Sequence, residues 1–285
     1  MKLLIKGGRI VDPDNRIDQV ADILITEEKI SRISPRIRVS SGTRIVEAKG
    51  KVVTPGLVDM HVHLREPGRE DEETIYSGTR AAAKGGFTSI LAMPNTVPPV
   101  DSVSGVKFVH MTAMAEGVVN VFPAGSITKG QKGEEIAETG KMYNAGIKAI
   151  TDDGHSVMNA RIMRLALEYS RMFDLPVISH CEDINLSMDG VMNEGYVSTV
   201  LGLKGIPCQA EEIMVARDIA LAKLTGGILH LAHLTTARSV ELLQQAKQAG
   251  IKVTCETAPQ YFLLTEEDVY GYNTNTKINP PLRTF

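Results

Sequence analysis

The sequence has few cysteines, little net charge and no long apolar run, and each shortage excludes a class of protein. Cys181, Cys208 and Cys255 are widely spaced and form no CxxC pair, which argues against a disulfide framework and favours free thiols in a reducing compartment. The net charge of −3 gives no sign of a nucleic-acid or membrane-surface partner. No apolar run approaches the roughly 18 residues of a membrane span, and the first one is too short for a signal peptide. We therefore expect a cytoplasmic protein.

The composition is that of an ordinary globular protein, with 43% hydrophobic and 23% charged residues in a chain of 285. Its first part, residues 1–54, consists of short apolar stretches separated by turn sequences such as Gly7-Gly8 and Asp12-Pro13-Asp14-Asn15. Turn signals about ten residues apart are typical of short antiparallel strands. We predict a small β-sandwich-like domain over residues 1–54, followed by a larger domain over residues 55–285.

The larger domain alternates short apolar runs with helical patterns. The predicted strands are Leu57–His63, Thr88–Met93, Asn120–Gly125, Ile147–Thr151, Val177–His180, Ile228–His233 and Val253–Glu256. The predicted helices between them are Thr74–Lys84, Val103–Glu116, Glu134–Asn144, Ala160–Phe173, Glu211–Thr225 and Ala237–Ala249. In Ala160–Phe173, an apolar stripe is expected at Ile162, Leu165, Ala166, Tyr169 and Met172.

This β-then-α rhythm predicts an α/β fold with a parallel sheet. Seven strands exceed most open sheets and favour a (β/α)₈ TIM barrel over a doubly wound sheet. Only seven strands can be identified, so we expect either an incomplete barrel, cut before strand eight, or a count that is one too low.

Histidines and acidic residues stand where the predicted strands end, which in a TIM barrel is the face that carries the active site. His61 and His63 are two residues apart on one strand and therefore point the same way, as does Arg65. Asp152 and Asp153 follow the fourth strand, and only one of them is expected to face the site. His180 ends the fifth strand and His233 the sixth, while His230 lies on the opposite side and is interpreted as structural.

Each of these residues alone has an ordinary structural explanation, but together they place imidazole and carboxylate groups on one rim. Such ligands suit Zn²⁺ and related divalent ions. Four histidines and one carboxylate exceed the three protein ligands usual for a single catalytic zinc. A two-metal site with a bridging carboxylate would use all five. The sequence therefore predicts one or two zinc ions per subunit.

The segment from Pro55-Gly56 to Pro67-Gly68, with His61-Val62-His63-Leu64-Arg65 inside it, resembles the signature of the cyclic amidohydrolases. Four further motifs resemble bacterial dihydroorotases of the longer, two-domain type: Ala92-Met93-Pro94-Asn95-Thr96, Thr151-Asp152-Asp153-Gly154, His180-Cys181-Glu182 and Asn279-Pro280-Pro281-Leu282-Arg283. The likeness extends over the whole chain, and five ordered motifs are specific together.

The resemblance implies an enzyme that interconverts L-dihydroorotate and N-carbamoyl-L-aspartate in pyrimidine biosynthesis by means of a metal-activated hydroxide. It implies that His61 and His63 hold one metal, that Asp153 bridges, and that His180 and His233 hold the second. His63, Arg65, Asn95 and Asn279 are implied on the substrate side. The family's acid/base aspartate follows strand eight and is expected beyond Phe285. Homo-oligomers and association with aspartate transcarbamoylase are also implied.

One feature separates this family from its relatives. Hydantoinases and allantoinases bridge their metals with a carboxylated lysine after strand four, whereas this chain has Asp152-Asp153 there and Lys148 is expected to be buried earlier in the strand. The aspartate favours a dihydroorotase. The alternatives are a hydantoinase, dihydropyrimidinase or allantoinase, and a non-catalytic, truncated partner of aspartate transcarbamoylase.

Overall fold

The structure is a computed structural model that describes residues 2–285. It divides the chain into two compact units, one that runs through Leu57 and one that comprises Val58–Phe285. No helix within residues 2–285 combines the length and the apolar character needed to cross a bilayer.

The first unit is a small sheet. Its strands are β1 (Lys2–Asp12), β2 (Ile17–Thr26), β3 (Lys29–Ser34), β4 (Arg44–Glu47) and β5 (Val52–Val53). The order is β3-β2-β1-β4, and β5 also pairs with β1. The β1–β2 and β2–β3 pairs are antiparallel, whereas β4 and β5 run parallel to β1. Alternate residues, including Ile10, Ala21 and Ile23, form a small apolar core, as a sheet with one buried face requires.

The second unit repeats strand and helix. Its strands are β6 (Leu57–Val62, which begins at the end of the first unit), β7 (Phe87–Ala92), β8 (Asn120–Pro123), β9 (Ile150–Thr151), β10 (Val177–Ser179), β11 (Met192–Asn193), β12 (Gly205–Ile206), β13 (Leu229–Leu231) and β14 (Val253–Cys255). Its helices are α1 (Ile75–Lys84), α2 (Val103–Glu116), α3 (Thr139–Ala145), α4 (Ala160–Ser170), α5 (Ile184–Ser187), α6 (Tyr196–Leu201), α7 (Gln209–Thr225), α8 (Ala237–Gln248) and α9 (Gln260–Leu263).

Seven of these strands succeed one another in space in the order of the chain. One sheet has the order β6-β7-β8 and the next β9-β10-β13-β14. A parallel bridge between Gly125 and Ile150 connects the two sheets. The strands therefore form one curved row, and the seven predicted barrel strands are all present. The neighbours from β7 onwards run parallel, so their carboxyl ends share one rim.

Both faces are buried in the middle of this row, whereas β6 and β14 at its two ends are largely exposed. Ile90, Val177 and Leu229 belong to a large apolar cluster that includes Met163, Leu167 and Val215 of the surrounding helices. The neighbouring strand residues Leu91 and Ile178 belong to a second, smaller cluster with Met93, Ala124, Ala149 and Ala232. Successive strand residues point to opposite faces. Burial of both faces is what a barrel with helices outside and side chains inside produces.

Three local predictions are wrong. The buried residues of α4 are Met163, Ala166, Leu167 and Ser170, so the helix is rotated relative to the predicted stripe. Met172 is 73% exposed, and Tyr169 instead packs edge-on against Phe173 with ring centroids 5.4 Å apart. The spacing of apolar residues in this helix allows more than one apolar stripe. Packing against the rest of the protein buries a stripe other than the predicted one.

The helix predicted from Glu134 begins only at Thr139, because the preceding segment folds back on itself. Ala137 donates its N–H to Ile127 O at 2.9 Å, and Lys129 donates to Glu135 O at 2.8 Å. Lys148, expected to be buried, is exposed and precedes β9. The short elements α5, β11, α6 and β12 lie between β10 and α7 and have too few residues for a periodic pattern to reveal them.

Candidate metal centre

The predicted ligands all lie at the carboxyl rim of the strand row. His61 is the fifth residue of β6 and His63 follows that strand directly, while Asp153 and His233 lie two residues beyond β9 and β13. His180 comes directly after β10. Gly154 has a φ of +81°, which glycine adopts without strain and which lets the chain turn away after Asp153. His233 itself has a φ of +35°, a costly conformation of the kind found at functional sites.

Asp153 stands at the centre of the four histidines. Its Oδ2 lies 3.2 Å from His61 Nε2 and 3.4 Å from His63 Nε2. Its Oδ1 lies 3.5 Å from His233 Nε2 and 3.7 Å from His180 Nδ1. Each carboxylate oxygen therefore faces a different pair of imidazoles, which is the arrangement a bridging ligand needs.

The two pairs are called here the β6 half, His61 and His63, and the β10–β13 half, His180 and His233. In the β6 half the two Nε2 atoms are 3.3 Å apart. In the β10–β13 half, His180 Nδ1 lies 2.9 Å from His233 Nε2. One nitrogen from each of the four rings is thus directed at Asp153.

The two adjacent aspartates have different surroundings, although each is 2% exposed. Asp152 accepts hydrogen bonds from the backbone N–H groups of Ile127 and Thr128, at 2.8 and 3.1 Å, and from the Thr128 hydroxyl. It anchors the loop after β8. Among residues 2–285, by contrast, Asp153 Oδ1 finds no hydrogen-bond partner. Asp153, not Asp152, is therefore the carboxylate that faces the histidines.

The charges of the cluster are strongly coupled. Burial by itself raises the pKa of Asp153, but the facing His180, His233 and His61 outweigh it and hold that pKa well below its usual range. Burial lowers the pKa of His61, yet its hydrogen bonds with Asp153 and Glu256 dominate and raise it to about 10. Burial lowers the pKa of His63 and of His233, and there it prevails. Burial also lowers the pKa of His180, but Asp153 and Glu182 outweigh it and raise that pKa to about 9. Each pair of histidines therefore has one ring that favours positive charge, His61 or His180, and one that disfavours it.

Three of the histidines have a partner on the ring nitrogen that points away from the centre. His63 Nδ1 lies 3.0 Å from Asn95 Oδ1, and His180 Nε2 lies 2.8 Å from Glu182 Oε2. His61 Nδ1 contacts Glu256 Oε1. Glu256 is a site residue that sequence reasoning missed. It follows β14 at the same rim, so the strand-end rule applied to the histidines would have found it.

The histidine interpreted as structural, His230, does not contact Asp153. It is 3% exposed; its Nε2 lies 3.2 Å from Glu256 Oε2 and its Nδ1 2.8 Å from Thr254 Oγ1. The prediction that His230 and His233 lie on opposite sides is wrong, because both line the same cavity. Strand alternation does not extend to His233, which lies two residues beyond β13 with a φ of +35°.

A cavity of about 830 Å³ opens in front of the cluster. Arg65, Asn95 and Asn279, the residues predicted to contact substrate, line it together with the histidines. Arg65 Nε lies 3.4 Å from Glu72 Oε2, so a carboxylate can approach this guanidinium. Asn279 donates to Glu182 Oε2 at 3.0 Å. Gln260 and Tyr261 also line the cavity and were not predicted.

The donor set suits a divalent cation of the zinc type. His61, Asp153 and His233 each offer a ligand atom, and these atoms lie within 4.8 Å of one another. Imidazole nitrogens and one buried carboxylate with an unpaired oxygen are ligands that zinc accepts. The outward partners of the rings match the hydrogen bonds that orient ligating histidines in metal sites.

Comparisons with known proteins agree with this geometry. Residues 50–239 match the family model described as dihydro-orotase-like. The dihydroorotase of Pelotomaculum thermopropionicum is 56% identical over 284 residues, which are 100% of this chain and 66% of that protein. The dihydroorotase of Geobacter metallireducens is 53% identical, with 67% of its length covered. The chain thus spans about two thirds of the length of these relatives.

Solved structures support the fold. The L-hydantoinase (dihydropyrimidinase) from Arthrobacter aurescens superposes with a TM-score of 0.85 at 23% identity, over 99% of this chain and 64% of that one. The dihydropyrimidinase from Brevibacillus agri gives a TM-score of 0.81 at 23% identity, with 100% of this chain and 64% of that one covered. The predicted α/β barrel with a small N-terminal β unit is confirmed, and so is the predicted family: the chain belongs to the dihydroorotase-like family.

Proposed function

We propose that this protein is a dihydroorotase, which opens the ring amide of L-dihydroorotate to N-carbamoyl-L-aspartate and closes it again in the reverse direction. The observation that carries the proposal is the convergence of four imidazoles on the two oxygens of Asp153. Identities above 50% to dihydroorotases over the whole chain support the same activity.

We propose zinc as the cofactor, with His61 and His63 as ligands of one ion, His180 and His233 as ligands of a second, and Asp153 between them. When bound, such ions supply Lewis-acid polarisation of a carbonyl and water of lowered pKa. Asp153 is buried and directs one oxygen to each half, so it can serve both ions without moving. Asn95 and Glu182 hold His63 and His180 in position through the ring nitrogens that do not face the centre.

The substrate would lie in the cavity with its carboxylate towards Arg65 and Asn279. The guanidinium fork matches a carboxylate in two parallel hydrogen bonds. Asn279 Nδ2 can turn from Glu182 to donate to the same group. Asn95 uses its oxygen on His63 Nδ1, which leaves its amide N–H groups free to donate towards the cavity.

A test of the metal assignment is the pair of substitutions His61→Ala and His63→Ala in the protein produced from its complete reading frame. We expect the double variant to lose about half of the bound zinc and nearly all turnover of dihydroorotate. Metal content is measured by elemental analysis and turnover by the disappearance of dihydroorotate. Metal and activity that both survive would contradict the assignment.

The second candidate is a related cyclic amidase that acts on hydantoin, dihydropyrimidine or allantoin rings, a class supported by the structural similarity to hydantoinases. The exposed Lys148 and the central Asp153 favour the first proposal, because the resemblance implies a carboxylated lysine in these relatives. Parallel assays of all four ring substrates decide between them. Preference for an uncharged ring would contradict the role given to Arg65.

The family resemblance also leads us to propose a cytoplasmic location, homo-oligomers and an association with aspartate transcarbamoylase. Co-purification with that enzyme, followed by mass measurement of the complex, tests the association. A non-catalytic partner is the third candidate. It would form the complex normally but convert no dihydroorotate even when zinc is bound.

A further inference from the structure

The outward nitrogen of His61 begins a chain of hydrogen bonds that leads away from the metal centre. Glu256 contacts His61 Nδ1 with one carboxylate oxygen and His230 Nε2 with the other, the latter at 3.2 Å. His230 Nδ1 lies 2.8 Å from Thr254 Oγ1. His230 and Thr254 belong to neighbouring positions of β13 and β14, while His61 belongs to β6, at the other end of the strand row.

The chemistry of the carboxylate sets the direction of both hydrogen bonds that Glu256 makes. An ionised carboxylate only accepts hydrogen bonds, so His61 donates through Nδ1–H and His230 donates through Nε2–H. The Thr254 hydroxyl, which can donate or accept, holds the other ring nitrogen of His230, Nδ1. With Nδ1 engaged by Glu256, Nε2 is the ring nitrogen of His61 that is left to bind a cation, and it faces Asp153 Oδ2 at 3.2 Å.

We propose that Glu256 is a positioning residue, which fixes the ring orientation and tautomer of His61 for metal binding and is itself held in place by His230 and Thr254. The inference deepens and rests on the proposed function, since it concerns the same centre. It assigns a role to three residues that the ligand set does not include: Glu256, His230 and Thr254.

The position of Glu256 indicates orientation more than support of the fold. Its side chain is 20% exposed and lines the cavity, so it contributes little apolar packing. Both of its oxygens are directed to histidines. Loss of a carboxylate that orients a ligating histidine typically weakens metal binding by about 10–100-fold. The effect should concern the β6 half, because Glu256 contacts His61 and neither His180 nor His233.

The experiment compares Glu256→Ala and Glu256→Gln with the wild-type protein, all produced from the complete reading frame. Glu241→Ala is the matched control, because Glu241 is exposed and pairs with the exposed Arg238 on the same helix. Zinc affinity is measured by titration against a competing chelator, zinc content by elemental analysis, and the rise of Tm on zinc addition by thermal unfolding. None of these readouts depends on turnover.

We expect Glu256→Ala to weaken the binding of one zinc equivalent by about 10–100-fold and to leave the other equivalent unchanged. The isosteric amide of Glu256→Gln can still accept from His61 Nδ1–H but is a weaker acceptor, so its affinity should lie between those of Glu256→Ala and the wild type. Glu241→Ala should match the wild type. If the alanine variant does not fold, the glutamine variant alone decides.

The last residue in this series of hydrogen bonds, Thr254, is tested in the same way by Thr254→Val, with Thr199→Val as its control. Thr199 donates its hydroxyl to a backbone carbonyl on an exposed helix. Thr254→Val should weaken zinc binding less than Glu256→Ala but more than the control. Affinity equal to that of Thr199→Val would remove Thr254 from the proposed arrangement.

The outcomes separate this inference from the proposed function. A purely structural Glu256 would lower the Tm of the metal-free protein while zinc affinity stayed at the control value, and this result would overturn the inference alone. Wild-type protein that binds no zinc would overturn the metal centre and the inference together. Loss of both zinc equivalents in the folded Glu256→Gln variant would contradict a role confined to His61.

Discussion

The two halves of the candidate metal centre reach the same geometry by different routes. The β6 half takes both imidazoles from one strand, two residues apart, and both rings present Nε2. The β10–β13 half takes its imidazoles from two strands, 53 positions apart, and His180 presents Nδ1 where His233 presents Nε2. In the β6 half, a spacing of two residues on one strand brings the imidazoles together. In the β10–β13 half, the imidazoles come together only when β10 and β13 pair. Asp153 joins the halves because each of its oxygens faces one of them.

The largest effect is expected from Asp153→Asn, because Asp153 is the carboxylate that faces the histidines of both halves. The amide keeps the shape but replaces one oxygen with a nitrogen that cannot bind a cation. We expect both zinc equivalents to weaken and turnover to fall by at least about 10³-fold, since both halves lose a charged electrostatic contact. Zinc titration and a dihydroorotate assay measure the two effects.

The control for this variant is Asp152→Asn, on the neighbouring buried carboxylate. Its oxygens accept hydrogen bonds from the backbone N–H groups of Ile127 and Thr128 and from the Thr128 hydroxyl. The substitution should therefore lower the free energy of unfolding, measured in urea, by about 1–3 kcal/mol. Zinc affinity should stay close to that of the wild type. If the two asparagine variants lost zinc equally, the distinction between the two aspartates would be wrong.

A smaller effect is expected from His180→Ala, which removes a ligand from one half only. One zinc equivalent should be lost and one retained, with turnover lower by roughly 10²-fold, the scale of removing a single electrostatic stabiliser. Elemental analysis after dialysis measures the number of zinc ions that remain bound per subunit. His61→Ala is the matched variant in the other half. Loss of both equivalents in either single variant would show that the halves do not bind independently.

Much of this centre could be predicted from the sequence, for identifiable reasons. His61 and His63 are neighbours by strand geometry, and the β-then-α rhythm placed Asp153, His180 and His233 on a common rim. The ring nitrogen used by His180 could not be predicted, because it depends on where Glu182 folds back. Glu256 lies 195 positions from His61, and only the spatial order of the strands brings them together. The buried face of α4 was mispredicted because Ala166 lies on both the predicted and the observed apolar stripe, and only packing on the core decides which stripe is buried.

Asn279→Ala tests the substrate side next to the β10–β13 half. A hydrogen bond to a charged group contributes about 1.5–3 kcal/mol, so we expect KM for dihydroorotate to rise by roughly 10- to 100-fold with zinc content unchanged. Asn275→Ala is the control, since the side chain of Asn275 is exposed and donates to Asn273 Oδ1 in a local turn. A change in kcat with constant KM would place Asn279 at the reacting atoms instead of the substrate carboxylate.

The smallest effect is expected from Glu182→Gln, the counterpart in the β10–β13 half of Glu256→Gln. One oxygen of Glu182 accepts from both His180 Nε2 and Asn279 Nδ2, and a glutamine oxygen in the same place can accept from both. Glu182 also lies only two residues after His180, so the short connection keeps the side chain close to the ring. We therefore expect zinc affinity to fall by no more than about 3-fold, below the range usual for such partners. The same titration as for Glu256→Gln measures it. A larger loss of zinc affinity for Glu182→Gln than for Glu256→Gln would contradict this expectation. It would show that the β10–β13 half depends more on its orienting carboxylate than the β6 half does.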